Sequence, residues 1–150
     1  TVVMITTTPE KGADAKRLGA DEVLVSRDPA QMKAHANSFD FLLNTVPVSH
    51  DTNPYMSLLK RDATMCLVGV ITELDPPLMG ASVIFGRKHV TGSAIGGMAE
   101  TQEMMDFCAE HNIVSDVEVI DIKDVNHAWE RMAKNDVRYR FVIDMASLKA

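Results

Sequence analysis

Short runs of β-branched and other apolar residues alternate along the chain with amphipathic stretches of helix length. This alternation is typical of βαβ units and predicts an α/β fold, with a mainly parallel sheet covered by helices. The predicted strands cover residues 2–7, 22–25, 39–46, 64–70, 89–95, 117–122 and 141–145. The mainly apolar segment at 39–43 and the continuous apolar run at 65–68 predict two strands that are buried on both faces and lie centrally in the sheet.

Helix signals lie between these strands. Thr8 is predicted to cap a helix over residues 10–18, and Gly19 suits the position just past its end. Two further helices are predicted over 100–111 and 124–134. The apolar residues of the helix at 100–111 fall on one stripe, formed by Met104, Met105, Phe107 and Cys108.

Composition narrows the class of protein. A chain of 150 residues with 46% hydrophobic side chains can form the core of about one domain. Its formal net charge of -6 disfavours a nucleic-acid partner, which usually meets a basic face. Cys66 and Cys108 are too far apart in sequence to indicate a disulfide framework or a zinc knuckle. No apolar stretch has the roughly 18 residues of a spanning helix, so we expect a soluble, cytoplasmic protein without a membrane partner.

The start of the chain is unusual, because Thr1 leads into the apolar run at 2–5 without a preceding cap or turn. A removed initiator methionine or tag would produce such a start. A chain that is a piece of a longer protein would also produce it, and the motifs below favour this second explanation.

Several segments, in order, resemble the zinc-dependent medium-chain alcohol dehydrogenases, in particular their cinnamyl alcohol dehydrogenase branch. The segments are TTTPEK at 6–11, LGADEV at 18–23, DFLLNTV at 40–46, LVGV at 67–70, GSAIGG at 92–97 and NDVRYRFVID at 135–144. In that family a Rossmann-type domain is inserted into a GroES-like catalytic domain. The resemblance therefore implies an NADP-binding Rossmann domain over 1–112 and, over 113–150, a segment that returns to the catalytic domain.

By the same resemblance, the chain starts at the second strand of the Rossmann domain. The first strand and its G-x-G-x-x-G turn are absent, and so are the expected zinc ligands. Because that strand is central in the usual 3-2-1-4-5-6 order, we expect a gap flanked by unpaired strand edges. A proteolytic fragment, a partial chain or another segment that fills the gap would each account for this.

The first candidate cofactor-binding residues lie at the end of the first predicted strand. Thr6, Thr7 and Thr8 supply hydroxyl groups and Lys11 supplies a positive charge, where an NAD-specific domain places a carboxylate. Spacing alone favours the alternative, a helix cap at Thr8 and a solvated lysine. The family resemblance favours binding of the 2′-phosphate of NADP.

The ends of the next two predicted strands are also candidates. Thr45 and Val46 close one strand before Pro47, which directs the chain towards the crevice where open α/β sheets bind cofactors. Gly69 and Val70 hold the equivalent place on the following strand. The alternatives are a loop merely turned by Pro47 and a strand bulge at Gly69.

Three further candidates rest mainly on the resemblance. Ser93, Ile95 and Gly96 belong to a glycine-rich segment whose counterpart lies along the nicotinamide; otherwise the segment is a flexible turn. Arg140 corresponds to an arginine that reaches the cofactor's phosphates; an exposed salt bridge is its alternative.

The resemblance implies that the parent protein is an NADP-dependent zinc-type dehydrogenase, which interconverts a small alcohol and an aldehyde by hydride transfer, with zinc as the Lewis acid. No catalytic residue and no metal ligand is predicted within these 150 residues, so the chain alone is expected to be inactive. Its five histidines lack ligand spacing and are expected at the surface or as caps. The pair His50-Asp51 has no nucleophile placed with it, which disfavours a hydrolase.

Two other functions remain open. The strand at 89–95 corresponds to one that pairs with its copy across a twofold axis, so a homodimer is expected and the chain could be a non-catalytic dimerisation module. The chain could also belong to a zinc-free quinone reductase relative, although the ending at 135–144 favours the zinc alcohol branch.

Overall fold

The computed structural model describes residues 1–69, 72–134 and 136–149. The described residues form seven strands: β1 Val3–Thr6, β2 Glu22–Val25, β3 Phe39–Asn44, β4 Leu59–Leu67, β5 His89–Gly92, β6 Glu118–Asp121 and β7 Phe141–Asp144. They also form six α-helices: α1 Gly12–Arg17, α2 Pro29–Ala34, α3 Asn53–Met56, α4 Gly80–Ile84, α5 Met98–Glu110 and α6 Val125–Ala133. Short 3-10 helices cover Pro9–Lys11, Ile122–Asp124 and Met145–Lys149.

The predicted α/β class is confirmed, since every strand pair in the described residues is parallel. A strand forms at each predicted place, but the boundaries differ. β3 and β5 end before the predicted 46 and 95, and β4 begins at Leu59 instead of 64. The early part of β4 is charged and contains Asp62 with φ of 62°, close to a register shift in the β3–β4 ladder. Such an irregular segment carries no apolar periodicity and was therefore missed.

The chain divides into two compact units, 1–95 and 96–150. This division by contacts falls at a different residue from the domain boundary expected at 112. The first unit contains α1 to α4 and two separate parallel sheets, with strand orders β1-β2 and β3-β4-β5.

The gap expected from the missing central strand is present in the first unit. In the described residues, β1 is hydrogen-bonded only to β2 among the strands, and β3 only to β4. The two sheets nevertheless share one core. Leu24 of β2 clusters with buried residues of the second sheet and its connections, namely Leu42, Met56, Leu58, Leu59, Ala63 and Met65.

The prediction that both apolar strands are central and fully buried is right for β4 and wrong for β3. Met65 and Cys66 point to opposite faces of β4 and are 1% and 8% exposed. In β3, Phe41 and Leu43 are 56% and 54% exposed. Both side chains lie on the same face of β3, which the described residues leave uncovered, whereas Leu42 and Asn44 on the other face are buried. β3 is also an edge strand, so it is not central in the described sheet.

The first helical segment begins and ends close to the predicted positions. Gly19 follows its end with φ of 103°. Glycine suits this position, because a residue without a Cβ adopts a left-handed conformation readily. Thr8 lies at the predicted N-cap position with an extended backbone, but within the described residues its side chain makes no capping hydrogen bond. Instead, Glu10's own backbone N–H and the Thr8 hydroxyl stabilise the Glu10 carboxylate and lower its pKa.

The second unit contains α5, and β6 and β7 joined as a parallel pair through α6. The apolar stripe predicted on α5 stays exposed, with Met104, Met105 and Phe107 each about half accessible. In the described part of the chain, no helix combines the length and apolarity that a membrane crossing requires.

Candidate functional site

The carboxyl ends of three parallel strands meet at one edge of the second sheet. The carbonyl oxygen of Asn44, the last residue of β3, accepts hydrogen bonds from Val68 N (2.9 Å) and Gly69 N (3.2 Å). The Ser93 N–H, just past β5, donates to the Leu67 carbonyl of β4 at 3.0 Å. The turns that follow β3, β4 and β5 are therefore neighbours, which is where open parallel sheets bind ligands.

Gly69 allows two of these turns to touch. A Cβ added at this position would collide with the Val46 carbonyl oxygen, and would lie 2.6 Å from the carbonyl carbon of Val46 and 3.0 Å from Pro47 N. The glycine is thus needed for space at this contact. We call residues 45–47, which rest on Gly69, the β3 turn. Thr45 is exposed and Val46 is 42% exposed, so both remain accessible to a ligand.

The β3 turn is also tied down by side chains. The Asn44 side chain is buried, and its Oδ1 accepts the Val46 N–H at 3.1 Å. Its Nδ2 lies 3.0 Å from His50 Nε2, while His50 Nδ1 lies 2.7 Å from the Val48 carbonyl oxygen. The imidazole ring also meets the Tyr55 ring edge-on, with centroids 6.3 Å apart.

Sequence reasoning did not find this cluster. His50 was expected to be a surface or capping residue; it is partly exposed in the structure, and both of its ring nitrogens have partners. One signal was available: a buried polar residue needs a partner, and Asn44 ends a strand that is otherwise apolar after Asp40.

The end of β1 brings together the threonines and the lysine singled out from the sequence. The Thr6 side chain is buried, and its hydroxyl donates to the Thr8 carbonyl (3.1 Å) and accepts the Thr8 N–H (3.3 Å). Ser26 N, just past β2, donates to the Thr6 carbonyl at 2.8 Å. Thr7 and Lys11 are exposed, and within the described residues Lys11 forms no ion pair. A free cation and an exposed hydroxyl are therefore available beside this strand end.

The remaining candidates are distributed over both units. Ser93 and Ile95 are exposed at the end of the first unit, and Ile95 is 98% accessible. Gly96 belongs to the second unit, where a Cβ added to it would lie 3.2 Å from Glu100 Oε2. Arg140 is also in the second unit and its side chain is exposed. Val70 lies outside the described residues.

No group of three His, Cys, Asp or Glu side chains within 1–69, 72–134 and 136–149 could hold a metal ion. The described residues therefore do not form a zinc site. Cys66 and Cys108 are both free thiols.

Comparison with known proteins places these features in a family. The family model described as zinc-binding dehydrogenase matches residues 1–110. Aldehyde reductase YahK from Escherichia coli is 50% identical over 98% of this chain and 42% of its own length. A probable cinnamyl alcohol dehydrogenase 1 from Aralia cordata is 49% identical over 99% of this chain and 41% of its own length. The chain thus spans about 42% of the length of the curated relatives it matches.

Solved structures give the same result. The cinnamyl alcohol dehydrogenase SbCAD4 from Sorghum bicolor superimposes with a TM-score of 0.87, at 45% identity, over 97% of this chain and 41% of that one. A cinnamyl alcohol dehydrogenase from Helicobacter pylori, solved in complex with NADP(H), superimposes with a TM-score of 0.75 at 30% identity, again over 97% of this chain and 41% of the other. The resemblance expected from the sequence motifs is confirmed, and the chain belongs to the zinc-binding dehydrogenase family.

Proposed function

We propose that this chain binds NADP(H) across the carboxyl ends of its parallel strands, as the cofactor-binding part of a dehydrogenase that interconverts alcohols and aldehydes. The observation that carries the proposal is the packing of the β3 turn on Gly69, which leaves Thr45 and Val46 accessible at the ligand-binding edge. The relatives named as aldehyde reductase and cinnamyl alcohol dehydrogenase support the reaction class. The Helicobacter pylori complex supports the cofactor.

The adenosine half of the cofactor would lie at the end of β1. Here the exposed Lys11 ammonium and the Thr7 hydroxyl can face a 2′-phosphate. The carboxylate of Glu10, the residue before Lys11, is already held by its own backbone N–H and by the Thr8 hydroxyl. Thr6 would act by shaping the turn, because its hydroxyl is already used by the Thr8 backbone.

The nicotinamide half would extend towards the turns after β3, β4 and β5. The residues of the first unit that we propose to contact it are Thr45, Val46, Gly69, Val70, Ser93 and Ile95. Gly96 and Arg140 of the second unit are proposed as cofactor contacts on the family resemblance alone. The cofactor, when bound, would supply or accept hydride, and these residues would bind and orient it. Zinc in this family supplies Lewis-acid chemistry, and its ligands would lie outside the described residues of this chain.

The organisation of the parent protein follows from the same proposal. Residues 1–112 form the cofactor-binding domain and residues 113–150 return to a catalytic domain in a longer, cytoplasmic protein. An additional strand would then lie between β1 and β3, where the two sheets are not joined.

Lys11→Ala in the full-length protein tests the proposal. Loss of a charge-assisted hydrogen bond should weaken binding of NADPH and of 2′,5′-ADP by about 10- to 100-fold, while NADH binding stays unchanged. Isothermal titration calorimetry measures all three ligands. Lys16→Ala, which removes an exposed lysine from α1, is the matched control. Equal losses for NADPH and NADH, or a wild-type protein that does not bind 2′,5′-ADP, would contradict the proposal.

A second function is favoured by the outer edge of β5. All four residues of this strand are exposed, and β5 is an edge strand of the three-stranded sheet. We infer that β5 pairs with its copy in a homodimer. If 2′,5′-ADP does not bind, this dimerisation becomes the leading function of the chain.

A further inference from the structure

We propose that His50 is a positioning residue, which holds the β3 turn in the conformation that receives the cofactor. The proposal rests on the proposed function, because it takes the β3 turn to be a cofactor contact. It concerns a histidine to which the proposed function assigns no role.

The orientation of the Asn44 amide follows from the backbone. Its Oδ1 accepts the Val46 N–H at 3.1 Å, so its Nδ2 must be the atom that faces His50 Nε2 at 3.0 Å. The amide nitrogen of asparagine only donates. His50 Nε2 must therefore be the acceptor.

The same reasoning fixes the imidazole. With a lone pair on Nε2, the single proton of a neutral ring lies on Nδ1, and Nδ1 is 2.7 Å from the Val48 carbonyl oxygen. Only this tautomer makes both contacts, since a carbonyl oxygen only accepts. His50 thus joins Asn44, at the end of β3, to Val48, just beyond the β3 turn.

Asn44 passes this constraint to the neighbouring strand. Its side chain holds Val46 N, and its main-chain carbonyl accepts the N–H groups of Val68 and Gly69. The asparagine is 6% exposed, so an Nδ2 without an acceptor would be costly. Without the imidazole, the amide is expected to rotate towards another acceptor and to release the Val46 N–H. The β3 turn would then lose its fixed seat on Gly69.

The surroundings of the ring suit this role. Tyr55 of α3 lies edge-on to the imidazole, and Oδ1 of the adjacent Asp51 accepts the backbone N–H and the side-chain amide of Asn53, both at 2.9 Å. The groups that contact the imidazole itself, the Asn44 amide, the Val48 carbonyl and the Tyr55 ring, are neutral, in line with a positioning role.

Binding measurements on the full-length protein separate this role from cofactor binding in general. His50→Phe keeps a flat ring without nitrogens, and should weaken NADPH binding about tenfold while leaving 2′,5′-ADP binding within twofold of wild type. His50→Gln offers an amide oxygen to Asn44 Nδ2 and should recover most of the NADPH affinity. His127→Phe, which changes an exposed histidine of α6, is the control.

Imidazole ¹⁵N chemical shifts in the wild-type protein supply a readout that does not depend on the variants. We expect the tautomer protonated at Nδ1. A ring protonated at Nε2 would overturn the proposal, as would wild-type NADPH affinity in His50→Phe, equal losses for NADPH and 2′,5′-ADP, or no recovery in His50→Gln. If the wild-type protein binds neither ligand, the proposed function fails first and this role fails with it.

Discussion

Two glycines in the first unit show how differently the same residue can be constrained. At Gly69, a Cβ would collide with the backbone of Val46 and Pro47. At Gly80, the first residue of α4, an added Cβ would meet no described atom within 4 Å beyond its chain neighbours and the backbone of its own helix. Neither glycine has a positive φ, so space alone distinguishes them.

Gly69→Ala should therefore separate the β3 turn from the end of β4. We expect a loss of unfolding free energy of about 1–3 kcal/mol, as for overpacking elsewhere, and weaker NADPH binding. Gly80→Ala is the matched control and should be neutral or slightly stabilising, because it lowers the entropy of the unfolded chain. Denaturant unfolding and NADPH titration of the full-length variants measure both effects. Equal stability of the two variants would show that the β3 turn moves aside freely.

At the scale of elements, Arg131 of α6 joins the helix to both strands of the second unit. Its guanidinium donates to the two carboxylate oxygens of Glu118 on β6, at 2.7 and 3.2 Å, and to Asp136 at 2.9 Å. It also lies 4.9 Å from the ring centroid of Phe141 on β7. The hydrogen bonds from Arg131 lower the pKa of both carboxyl groups.

Arg131→Met should lower the thermal midpoint of the second unit by a few degrees at neutral pH. Because the carboxyl pKa values are lowered in the folded state, the stability they contribute is fully present above the ordinary carboxyl range of about 4. It is lost as the pH falls through the lowered values. The difference between wild type and Arg131→Met should therefore shrink in acid. Thermal unfolding at neutral pH and near pH 3 checks this, with the exposed Lys134→Met as control.

At the scale of the whole molecule, two sheets of the first unit share a core, although in the described residues no hydrogen bond joins a strand of one to a strand of the other. Leu24 is fully buried and belongs to the cluster formed mainly by residues of the second sheet and its connections. Side-chain packing thus holds β1 and β2 beside the other strands in the first unit. The facing edges of β1 and β3 are unpaired within the described residues, and an unpaired edge can accept a further strand.

The outer edge of β5 permits a test of the dimer. Because Ser93 N donates to β4, the alternation of a strand directs the Val90 N–H towards the free edge. Val90→Pro should therefore spare the β4–β5 ladder and remove one donor for pairing with a second copy. We expect a dimer for wild type and a weakened dimer for this variant in sedimentation velocity of the full-length protein. Val90→Thr is the control, and an unchanged dimer in Val90→Pro would place the interface elsewhere.

Much of the fold could be predicted because it depends on local pattern. Apolar periodicity predicted seven strands, and the structure has a strand at each of these places. Gly19 predicted a helix end, and the structure shows it there with a positive φ. The predicted start of β4 differs from the observed one, because the apolar pattern is weak there. The charged start of β4, with the irregular backbone at Asp62, has no periodicity from which a strand could be read.

The candidate site divides in the same way. Sequence alone located the strand ends, the threonines with Lys11, and the family, because residue types at fixed spacing carry that information. The contact of Gly69 with the β3 turn and the bond between His50 and Asn44 became visible only in three dimensions. The same is true of the unpaired edge of β3, since strand pairing depends on which strands are present beside it. Contacts between turns that are distant in sequence follow from strand pairing, and no local pattern encodes them.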